Sequence, residues 1–408
     1  MMSCFEELKQ RGFVAQVTDE DAVRRMLDEE STTFYVGFDP TAASPHVGHL
    51  YPTMVMMHLQ KHGHRPIMVL GVGTAMIGDP SGKTELRQMM SEEKIRENAA
   101  EFRRRMNHFL HFEEGRALCV DNSEWLQRLG YIEFLRDIGR HFSVNRMLAA
   151  EAYKQRLERG LSFIEFNYQI LQAYDFLELN RREGCTLQIG GDDQWGNILA
   201  GVDLTRRLQQ NTVQGMTTPL LTTASGAKMG KTAAGAVWID PELLSAYDFY
   251  QYWINVDDRD VDKLLKCYTF LSLEEIAELS KLEGAEIRHA KEVLAFEMTQ
   301  MVHGQAAAEE ARAGAKAAFS GKGDVSNMPS VTLPAARFEE GVPAYELFTE
   351  IGLAGSRGEA RRLLQQGGGY VNEQRIEAFD RPVTKDDIQD GAIVLRAGKK
   401  KHFRIEVE

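Results

Sequence analysis

The sequence has few of the features that mark secreted, membrane-bound or metal-stapled proteins. Its 408 residues include only four cysteines, none spaced as CxxC: Cys4, Cys119, Cys185 and Cys267. This scatter is typical of buried free thiols in a reducing compartment and argues against a disulfide framework or a zinc site. The first twelve residues lack the apolar core of a signal peptide, and no run approaches the ~18 apolar residues of a membrane span. We therefore expect a cytoplasmic protein that does not enter a membrane.

Several motifs are also missing. Internal repeats, low-complexity tracts and an HExxH zinc motif are absent. The segment from Gly78 to Thr84 imitates a phosphate-binding P-loop, but only three residues separate Gly78 from Gly82. That loop needs four residues between its glycines, which excludes a P-loop NTPase. The simpler interpretation is a turn that precedes a helix.

Net charge is −12, which at first argues against a nucleic-acid partner. The charge is unevenly distributed, however, because residues 342–408 carry eleven basic and eleven acidic side chains. The rest of the chain therefore carries the whole excess of acid. A neutral tail whose arginines cluster on one helix can still bind RNA, so the overall acidity excludes little.

Residues 1 to about 220 alternate between apolar runs typical of buried strands and longer helical stretches. The predicted strands are residues 34–38, 67–72, 117–120 and 187–189. This alternation predicts an α/β fold with a Rossmann-like, doubly wound parallel sheet, whose ligands bind beyond the carboxyl ends of the strands. Polar segments follow three of these strands: 39–49, 78–79 and 190–194. The order of the strands in the sheet is left open.

The domain boundaries follow from changes in pattern. We predict a catalytic domain at 1–235, an all-helical domain at 236–320, a linker at 321–341 and a small α+β domain at 342–408. In the helical part, Ser272 and Glu275 form a capping box. A mostly helical insertion is predicted at about 84–185, with an apolar stripe over 131–142. Core packing and a self-complementary dimer face both explain that stripe.

Two segments about 180 residues apart carry groups suited to a polyphosphate. They read His46-Val47-Gly48-His49 and Lys228-Met229-Gly230-Lys231-Thr232. The first follows a predicted strand where a helix opens near Gly48, and helix N-termini favour anions. Each segment alone is also compatible with a purely structural role. The first could be a histidine whose hydrogen bonds are satisfied at a helix start, and the second a turn with solvent-exposed lysines. The presence of both segments in this order favours a shared function over two separate structural roles.

The pair resembles the HIGH and KMSKS elements of class I aminoacyl-tRNA synthetases. The resemblance implies attack of a carboxylate on the α-phosphorus of ATP with pyrophosphate as leaving group, a reaction that depends on positioning and cationic charge. Histidines would contact phosphate oxygens, and the lysines would hold the pyrophosphate. The implied catalytic residues are His46, His49, Lys228, Lys231 and Thr232, with Gly48 against the adenine.

A third segment, residues 162–176, indicates which group of class I synthetases the chain resembles. Tyr168, Gln172 and Asp175 are spaced to share one helix face among apolar neighbours, so a ligand is favoured over a solvent face. The stretch is similar to the tyrosine-binding helix of bacterial tyrosyl-tRNA synthetases. The similarity implies that Tyr168 and Gln172 contact the ammonium group of tyrosine, and that Asp175 with Tyr35 binds the phenol hydroxyl.

The remaining site residues are carried over from the same family. Asp79 would bind the amino group, Asp193 the ribose, and Gln188 and Gln194 would order the substrate side chain and carboxylate region. The other implied contacts are Gly37 for tyrosine and Asp39, Thr41, Gly191, Lys83 and Arg87 for ATP. Asp192 and Pro52 receive no role, and Pro52 is expected in a first helical turn, where proline is tolerated.

The tail from residue 342 resembles a small RNA-binding domain shared by a small-subunit ribosomal protein, pseudouridine synthases and bacterial tyrosyl-tRNA synthetases. Its basic residues form two clusters, one on a helix predicted to start at Ser356 and one near the end of the chain. Such residues usually form a solvent-exposed charged surface, but the presence of two clusters favours contacts with RNA phosphates. The predicted tRNA contacts are Arg357, Arg361, Arg362, Lys399, Lys400 and Lys401.

Across its length the chain thus resembles the bacterial-type tyrosyl-tRNA synthetases. The resemblance implies activation of L-tyrosine by ATP, transfer to the 3′-terminal adenosine of tRNA(Tyr), a homodimer, and an anticodon-side role for the helical domain. Mg²⁺ would accompany ATP, without a dedicated protein metal site. The alternatives are a tryptophanyl-type class I synthetase, an HxGH nucleotidylyltransferase and a non-catalytic RNA-binding module.

Overall fold

A computed structural model describes most of the chain: residues 2–81, 90–150, 153–154, 157–158, 160–226, 229–232, 235–320, 329–389, 391–398 and 401–408, without the side chains of 231–232 and 318–320. Two compact units are formed. The first comprises Met1–Leu244 and Val256–Leu294, and the second Ser245–Asn255 and Ala295–Glu408. Among the described helices, none combines the length and the apolar composition that a bilayer crossing requires.

The helices are numbered along the chain. They are α1 (Cys4–Gln10), α2 (Glu20–Asp28), α3 (Val47–Lys61), α4 (Val72–Ala75), α5 (Glu92–Met106), α6 (Ser123–Leu126), α7 (Tyr131–Asp137), α8 (Val144–Leu148), α9 (Phe163–Glu183), α10 (Trp195–Gln209), α11 (Ala246–Ile254), α12 (Val261–Tyr268), α13 (Leu273–Leu279), α14 (Ile287–His303), α15 (Gln305–Ser320), α16 (Ala344–Glu350) and α17 (Arg357–Gln365). The capping box predicted at Ser272 and Glu275 is confirmed at the start of α13.

The core of the first unit is a five-stranded parallel sheet. Its strands are β1 (Thr33–Phe38), β2 (Arg65–Leu70), β3 (Leu118–Asp121), β4 (Leu187–Gly191) and β5 (Gln214–Thr218). They lie in the order β3-β2-β1-β4-β5, and every neighbouring pair is parallel. The predicted doubly wound sheet is therefore confirmed. Its strand order reverses between β1 and β4, the point at which such sheets bind ligands.

Strand β5 has no counterpart among the predicted strands because its sequence, Gln-Gly-Met-Thr-Thr, contains no apolar run. All five residues are nevertheless buried. The N-terminal segment lies along its outer edge: Val17 bridges Met216 in antiparallel fashion, and the Thr217 amide donates to the Gln16 carbonyl at 2.8 Å. Backbone pairing on both edges allows polar residues to be buried here, which a hydrophobic pattern does not predict.

The long helix α9 covers the sheet and carries the predicted tyrosine-binding face. Ser162 and Glu165 form a capping box at its start, and Gly184, at φ 63°, ends it in the left-handed conformation. Phe176 of this helix packs against Tyr35 of β1, with ring centroids 5.3 Å apart. This packing places one face of α9 over the carboxyl end of β1.

One expectation about the first unit needs correction. Pro52 is the sixth residue of α3, in its second turn, so the carbonyl of Gly48 receives no N–H from residue 52. Strand β3, which lies within the interval of about 84–185, corresponds to the strand predicted at 117–120 and forms the edge of the central sheet. Residues 256–294 group with the first unit.

The second unit contains the tail as a sheet with two helices. Strands β8 (Ser330–Leu333), β10 (Gly369–Val371), β11 (Gln374–Arg375), β13 (Ala392–Ala397) and β14 (Lys401–Val407) form a sheet of order β11-β10-β13-β14-β8. A short pair, β9 (Val342–Pro343) and β12 (Pro382–Val383), stands beside it. Strand β8, which lies within the interval predicted as a linker (321–341), pairs in parallel with β14.

Candidate active site

A cavity of about 340 Å³ opens at the carboxyl ends of β1, β2 and β4. Most of the residues predicted for substrate binding line it, although they come from five segments of the chain. On the tyrosine side these are Tyr35, Gly37, Asp79, Tyr168, Gln172, Asp175, Gln188 and Gln194, and on the ATP side Asp39, Thr41, His49, Gly191 and Asp193.

Five of the predicted residues lie outside the described part of the chain. They are Lys83, Arg87, Lys228, Lys399 and Lys400. Lys231 and Thr232 are described only as backbone, in the short strand β6 (Lys231–Thr232) that pairs with β7 (Gly235–Ala236).

One end of the cavity holds a buried hydroxyl and a buried carboxylate. The hydroxyl of Tyr35 is buried and has no hydrogen-bond partner among the described residues, and burial followed by the charge of Asp175 raises its pKa. Asp175 is 4% exposed and accepts from Asn122 Nδ2 at 3.0 Å and from Trp125 Nε1 at 2.7 Å. Burial raises the pKa of Asp175 to about 7, against the lowering effect of these two hydrogen bonds. A ligand hydroxyl that both donates and accepts would complement this pair.

Asn122 and Trp125 were missed by the sequence analysis. Asn122 directly follows β3, so the rule that found the other polar segments, at strand carboxyl ends, also applies to it. Its amide donates to Asp175 and to Thr74 Oγ1 at 3.0 Å, and its oxygen accepts from the Gly73 amide at 2.8 Å. This side chain therefore fixes the orientation of the Asp175 carboxylate.

The other end of the cavity is rich in acceptors. Asp79 accepts from Gln194 Nε2 at 2.8 Å. Asp39, predicted on the ATP side, accepts from the Tyr168 hydroxyl at 3.1 Å and from Thr74 Oγ1 at 2.9 Å. Burial and then the charge of Asp39 raise the pKa of Tyr168. Because Tyr168 donates to Asp39, its lone pairs remain to accept from a cation.

The turn after β4 carries two aspartates with different surroundings. Asp193 lines the cavity, and a Cβ at Gly191 would lie 2.6 Å from its Oδ1, so a larger residue at 191 would displace the Asp193 carboxylate. Asp192 instead accepts from Gln16 Nε2 at 2.6 Å and from Thr217 Oγ1 at 2.9 Å. Asp192, which the sequence left without a role, therefore ties the turn to the N-terminal segment and to β5.

His46 and His49 cap the start of α3. Nδ1 of His46 accepts from the Gly48 amide at 3.0 Å, and Nδ1 of His49 accepts from the His46 amide at 3.1 Å. A neutral ring whose Nδ1 accepts must carry its proton on Nε2. Burial lowers the pKa of His49 well below its ordinary value, so this ring is a neutral N–H donor. A Cβ at Gly48 would lie 2.8 Å from the His46 ring, so the cap itself requires glycine.

The second phosphate motif packs directly on the first. Gly230 has φ +84°, and a Cβ there would lie 2.9 Å from the Gly48 nitrogen. The Val237 amide donates to the Gly230 carbonyl at 3.0 Å, and the Val47 amide donates to the Val237 carbonyl at 2.9 Å. The fold thus brings together two motifs that are about 180 residues apart in the sequence.

The tail presents its predicted arginines on an exposed helix face. Arg357, Arg361 and Arg362 are exposed on α17, which Ser356 caps as predicted. The Arg361 guanidinium lies 4.4 Å from the centroid of the Tyr345 ring, which holds it in place while leaving its charge available. Lys401 is exposed at the start of β14.

Family models match almost the whole chain. One, described as tRNA synthetases class I (W and Y), covers residues 27–320, and another, described as the tyrosine–tRNA ligase SYY-like C-terminal domain, covers 322–405. The tyrosine–tRNA ligase of Acetivibrio thermocellus is 52% identical over 407 residues, with both chains covered completely. That of Desulfosudis oleivorans is 51% identical over 430 residues, covering 100% of this chain and 99% of its own.

Solved structures agree on the fold. A C-terminally truncated mitochondrial tyrosyl-tRNA synthetase of Aspergillus nidulans matches with a TM-score of 0.70 at 30% identity, over 78% of this chain and 94% of its own. A tryptophanyl-tRNA synthetase of Encephalitozoon cuniculi matches with a TM-score of 0.56 at 15% identity, over 75% of this chain and 86% of its own. The chain therefore belongs to the class I tRNA synthetases of the tryptophan and tyrosine family.

Proposed function

We propose that this protein is a tyrosine–tRNA ligase. It joins L-tyrosine to ATP, forming tyrosyl-adenylate and releasing pyrophosphate, and then transfers the tyrosyl group to the 3′-terminal adenosine of tRNA(Tyr). The observation that carries the proposal is the pair of Tyr35 and Asp175 in one cavity. The first is a buried hydroxyl with no partner among the described residues, and the second is a buried carboxylate. The shared name of the relatives supports it.

The polarity of this pair favours tyrosine over the other aromatic amino acids. The phenol hydroxyl of tyrosine donates to Asp175 and accepts from Tyr35, so both protein groups gain a partner. Phenylalanine would leave both unpaired, which is costly in a buried site. The indole N–H of tryptophan donates but has no lone pair for the Tyr35 hydroxyl. The tryptophanyl alternative is disfavoured for this reason.

At the other end of the amino acid, the acceptors suit an ammonium group. Asp79, the lone pairs of the Tyr168 hydroxyl and Gln172 receive its three N–H groups, and Gln188 and Gln194 order the side chain and carboxylate. Gln188 Oε1 is buried without a hydrogen-bond partner among the described residues, as expected of a group that awaits a substrate donor. The substrate carboxylate is then directed toward the α3 terminus.

In the activation step, a carboxylate oxygen of tyrosine attacks the α-phosphorus of ATP, and the bond to the pyrophosphate oxygen breaks. His46 and His49 donate from Nε2 to phosphate oxygens, next to the free amides at the start of α3. Lys228 and Lys231 neutralise the departing pyrophosphate, and Thr232 adds a hydroxyl donor. Their motif packs on Gly48, which supports this assignment.

The remaining ATP contacts surround the nucleotide. Asp193 binds the ribose hydroxyls at the turn after β4. Its glycine neighbour allows the close approach of the nucleotide to the backbone. The other proposed contacts are Asp39, Thr41, Gly48, Gly191, Lys83 and Arg87. An HxGH nucleotidylyltransferase would lack both the lysine motif and the tail, and a non-catalytic RNA-binding module would not need this cavity.

Mg²⁺ is proposed as the companion of ATP. The described residues contain no group of three or more histidine, cysteine, aspartate or glutamate side chains that would hold a metal ion. The phosphates of ATP would hold the cation. Because ATP and tRNA are its substrates, we place the enzyme in the cytoplasm.

A homodimer is proposed from one apolar surface of the first unit. Large apolar side chains on α7, α8 and the start of α9 are exposed, which is unusual for a face without a partner. They are Tyr131, Ile132, Leu135, Val144, Phe163 and Ile164, with exposed fractions of 37% to 73%. An identical surface on a second copy would cover them through a two-fold axis.

Replacing two residues of this surface tests the dimer. Ile132→Asp with Phe163→Asp is expected to convert the dimer to a monomer, because each charge would face a second charge across the two-fold axis. Sedimentation equilibrium measures the mass. Leu243→Asp, an exposed apolar position outside α7, α8 and α9 (49% exposed), is the control and should leave the mass unchanged. A wild-type protein of monomer mass would contradict the proposal.

The amino-acid specificity tests the proposed function. ATP–pyrophosphate exchange, measured with each of the twenty amino acids, is expected to depend on tyrosine. Tyr35→Phe should reduce the preference for tyrosine over phenylalanine by roughly 2- to 13-fold, the value of one neutral hydrogen bond of ~0.5–1.5 kcal/mol. Asp175→Asn should reduce it further, because a charged acceptor is lost.

A tyrosine outside the cavity provides the control. The hydroxyl of Tyr153 donates to the Phe166 carbonyl at 3.1 Å, and its side chain is 1% exposed. Tyr153→Phe therefore removes a similar buried hydrogen bond and should leave the preference unchanged. Unaltered discrimination in both Tyr35→Phe and Asp175→Asn would remove these residues from the amino-acid site.

A further inference from the structure

The side chain of Asn197, on α10, joins the segments that hold the amino-acid end of the cavity. It is 3% exposed, and its Nδ2 lies 3.0 Å from Gln172 Oε1, 3.1 Å from Gln194 Oε1 and 3.4 Å from Ser81 Oγ. These three partners come from α9, from the turn after β4 and from the segment after β2. Asn197 does not line the cavity itself.

The hydrogen bonds continue from these partners to Asp79. Gln194 Nε2 donates to Asp79 Oδ2 at 2.8 Å, and the Ser81 amide donates to Asp79 Oδ1 at 2.9 Å. Asn197 is therefore bonded to the neighbours of both carboxylate oxygens. A glutamine side chain has three rotatable bonds and takes many positions unless it is bonded, so one buried amide limits the freedom of both glutamines.

We propose that Asn197 is a positioning residue for amino-acid binding. By donating to Gln172 and Gln194, it holds both carboxamides, and through them Asp79, where they contact the ammonium and carboxylate groups of the substrate. A carboxamide oxygen has two lone pairs, so the Gln172 oxygen that accepts from Asn197 keeps one for the ammonium group. Gln194 donates one N–H of Nε2 to Asp79 and keeps the second for the carboxylate. This inference rests on the proposed function and adds a residue that acts through others.

The direction of the hydrogen bonds makes a specific prediction. Asn197→Asp preserves the size of the side chain but replaces the donor with an oxygen that faces two glutamine oxygens. Asn197→Ala removes the donor and leaves the oxygens unpaired. Both variants are expected to raise the KM for tyrosine in pyrophosphate exchange by roughly tenfold or more, with the KM for ATP within about twofold of the wild type.

Asn180 is a matched control on α9. It is also buried, at 7% exposure, and its Nδ2 donates to the Cys185 carbonyl at 2.9 Å, away from the cavity. Asn180→Ala is expected to lower the unfolding temperature and to leave the KM for tyrosine unchanged. A combined Asn197→Ala and Gln172→Ala variant should raise the KM by less than the product of the separate effects, because the two residues act through one contact.

Two results would overturn the proposal. One is a wild-type KM for tyrosine in Asn197→Asp, which would show that the size of the side chain matters rather than its donor. The other is an equal rise in the KM for tyrosine and for ATP. If Asn197→Ala fails to fold, the isosteric Asn197→Asp decides, with equilibrium dialysis of tyrosine as a second readout. A failure of the proposed function would be recognised separately, because the wild-type enzyme would then depend on an amino acid other than tyrosine in pyrophosphate exchange. The KM values of the wild type and the Asn197 variants would in that case be compared for that amino acid.

Discussion

Replacing His46 or His49 with alanine is expected to slow tyrosyl-adenylate formation by roughly 10²- to 10³-fold, the usual effect of losing one donor aimed at transition-state charge. Nδ1 of each ring is occupied by a backbone amide, so Nε2 is the donor left for phosphate oxygens. Charge on those oxygens grows as pyrophosphate leaves, so the rate falls far more than tyrosine binding. Single-turnover adenylate formation and equilibrium dialysis of tyrosine measure the two effects. Lys231→Ala is expected to act in the same direction.

The helix cap and the catalytic donor can be separated at His46. Asparagine is a favoured N-cap residue, so His46→Asn retains an acceptor for the Gly48 amide and removes the Nε2 donor. This variant is expected to keep the unfolding temperature near that of the wild type and to be as slow as His46→Ala. A normal rate of adenylate formation with weakened tyrosine binding would contradict the assignment of these histidines.

Removal of the tail should separate amino-acid activation from tRNA recognition. Because β8 pairs with β14, the deletion has to begin before residue 329, and we choose residues 321–408. Pyrophosphate exchange is expected to remain near the wild-type rate, since the cavity and both phosphate motifs lie before residue 233. Charging of tRNA should fall by about 10²-fold or more, because the phosphate contacts that supply most of the affinity are lost.

A milder change tests the arginines directly. Arg357→Gln with Arg361→Gln is expected to reduce the slope of log affinity against log salt by about 2, one for each phosphate contact. Arg337→Gln is the control within the same unit, because Arg337 is paired with Glu350 at 2.6 Å and its charge is already balanced. Normal tRNA charging by the truncated enzyme would show that the tail does not bind the RNA.

Local patterns in the sequence predicted those elements whose cause is local. The buried strand at 33–38, the capping box at Ser272 and the start of α17 at Ser356 depend on residues within a few positions of one another. The two phosphate motifs and the polar face of α9 were found in the same way, since their spacing within one segment carries the signal. Most residues of the cavity could therefore be named before the fold was known.

Residues that act through distant partners could not be found from such patterns. Trp125 and Asn197 have no motif around them, and the position of Asn122 after β3 does not reveal its partner. The bonds of Asn197 to Gln172, and of Trp125 and Asn122 to Asp175, join residues 25 to 53 positions apart. Only the packing of α9 against the sheet brings Asp175 to Asn122. The burial that raises the pKa of Asp175, and the hydrogen bonds that oppose this rise, are thus properties of the folded chain.

The sequence by itself determined the fold class, the family and the chemical groups of the site, because these follow from residue types at short, fixed spacings. The tertiary structure alone decided the strand order, the burial of the polar strand β5, the pairing of β8 with β14 and the contact of Gly230 with Gly48. The physical reason is that each of these depends on backbone groups far apart in the chain, which hydrogen-bond or pack only once the intervening elements are in place.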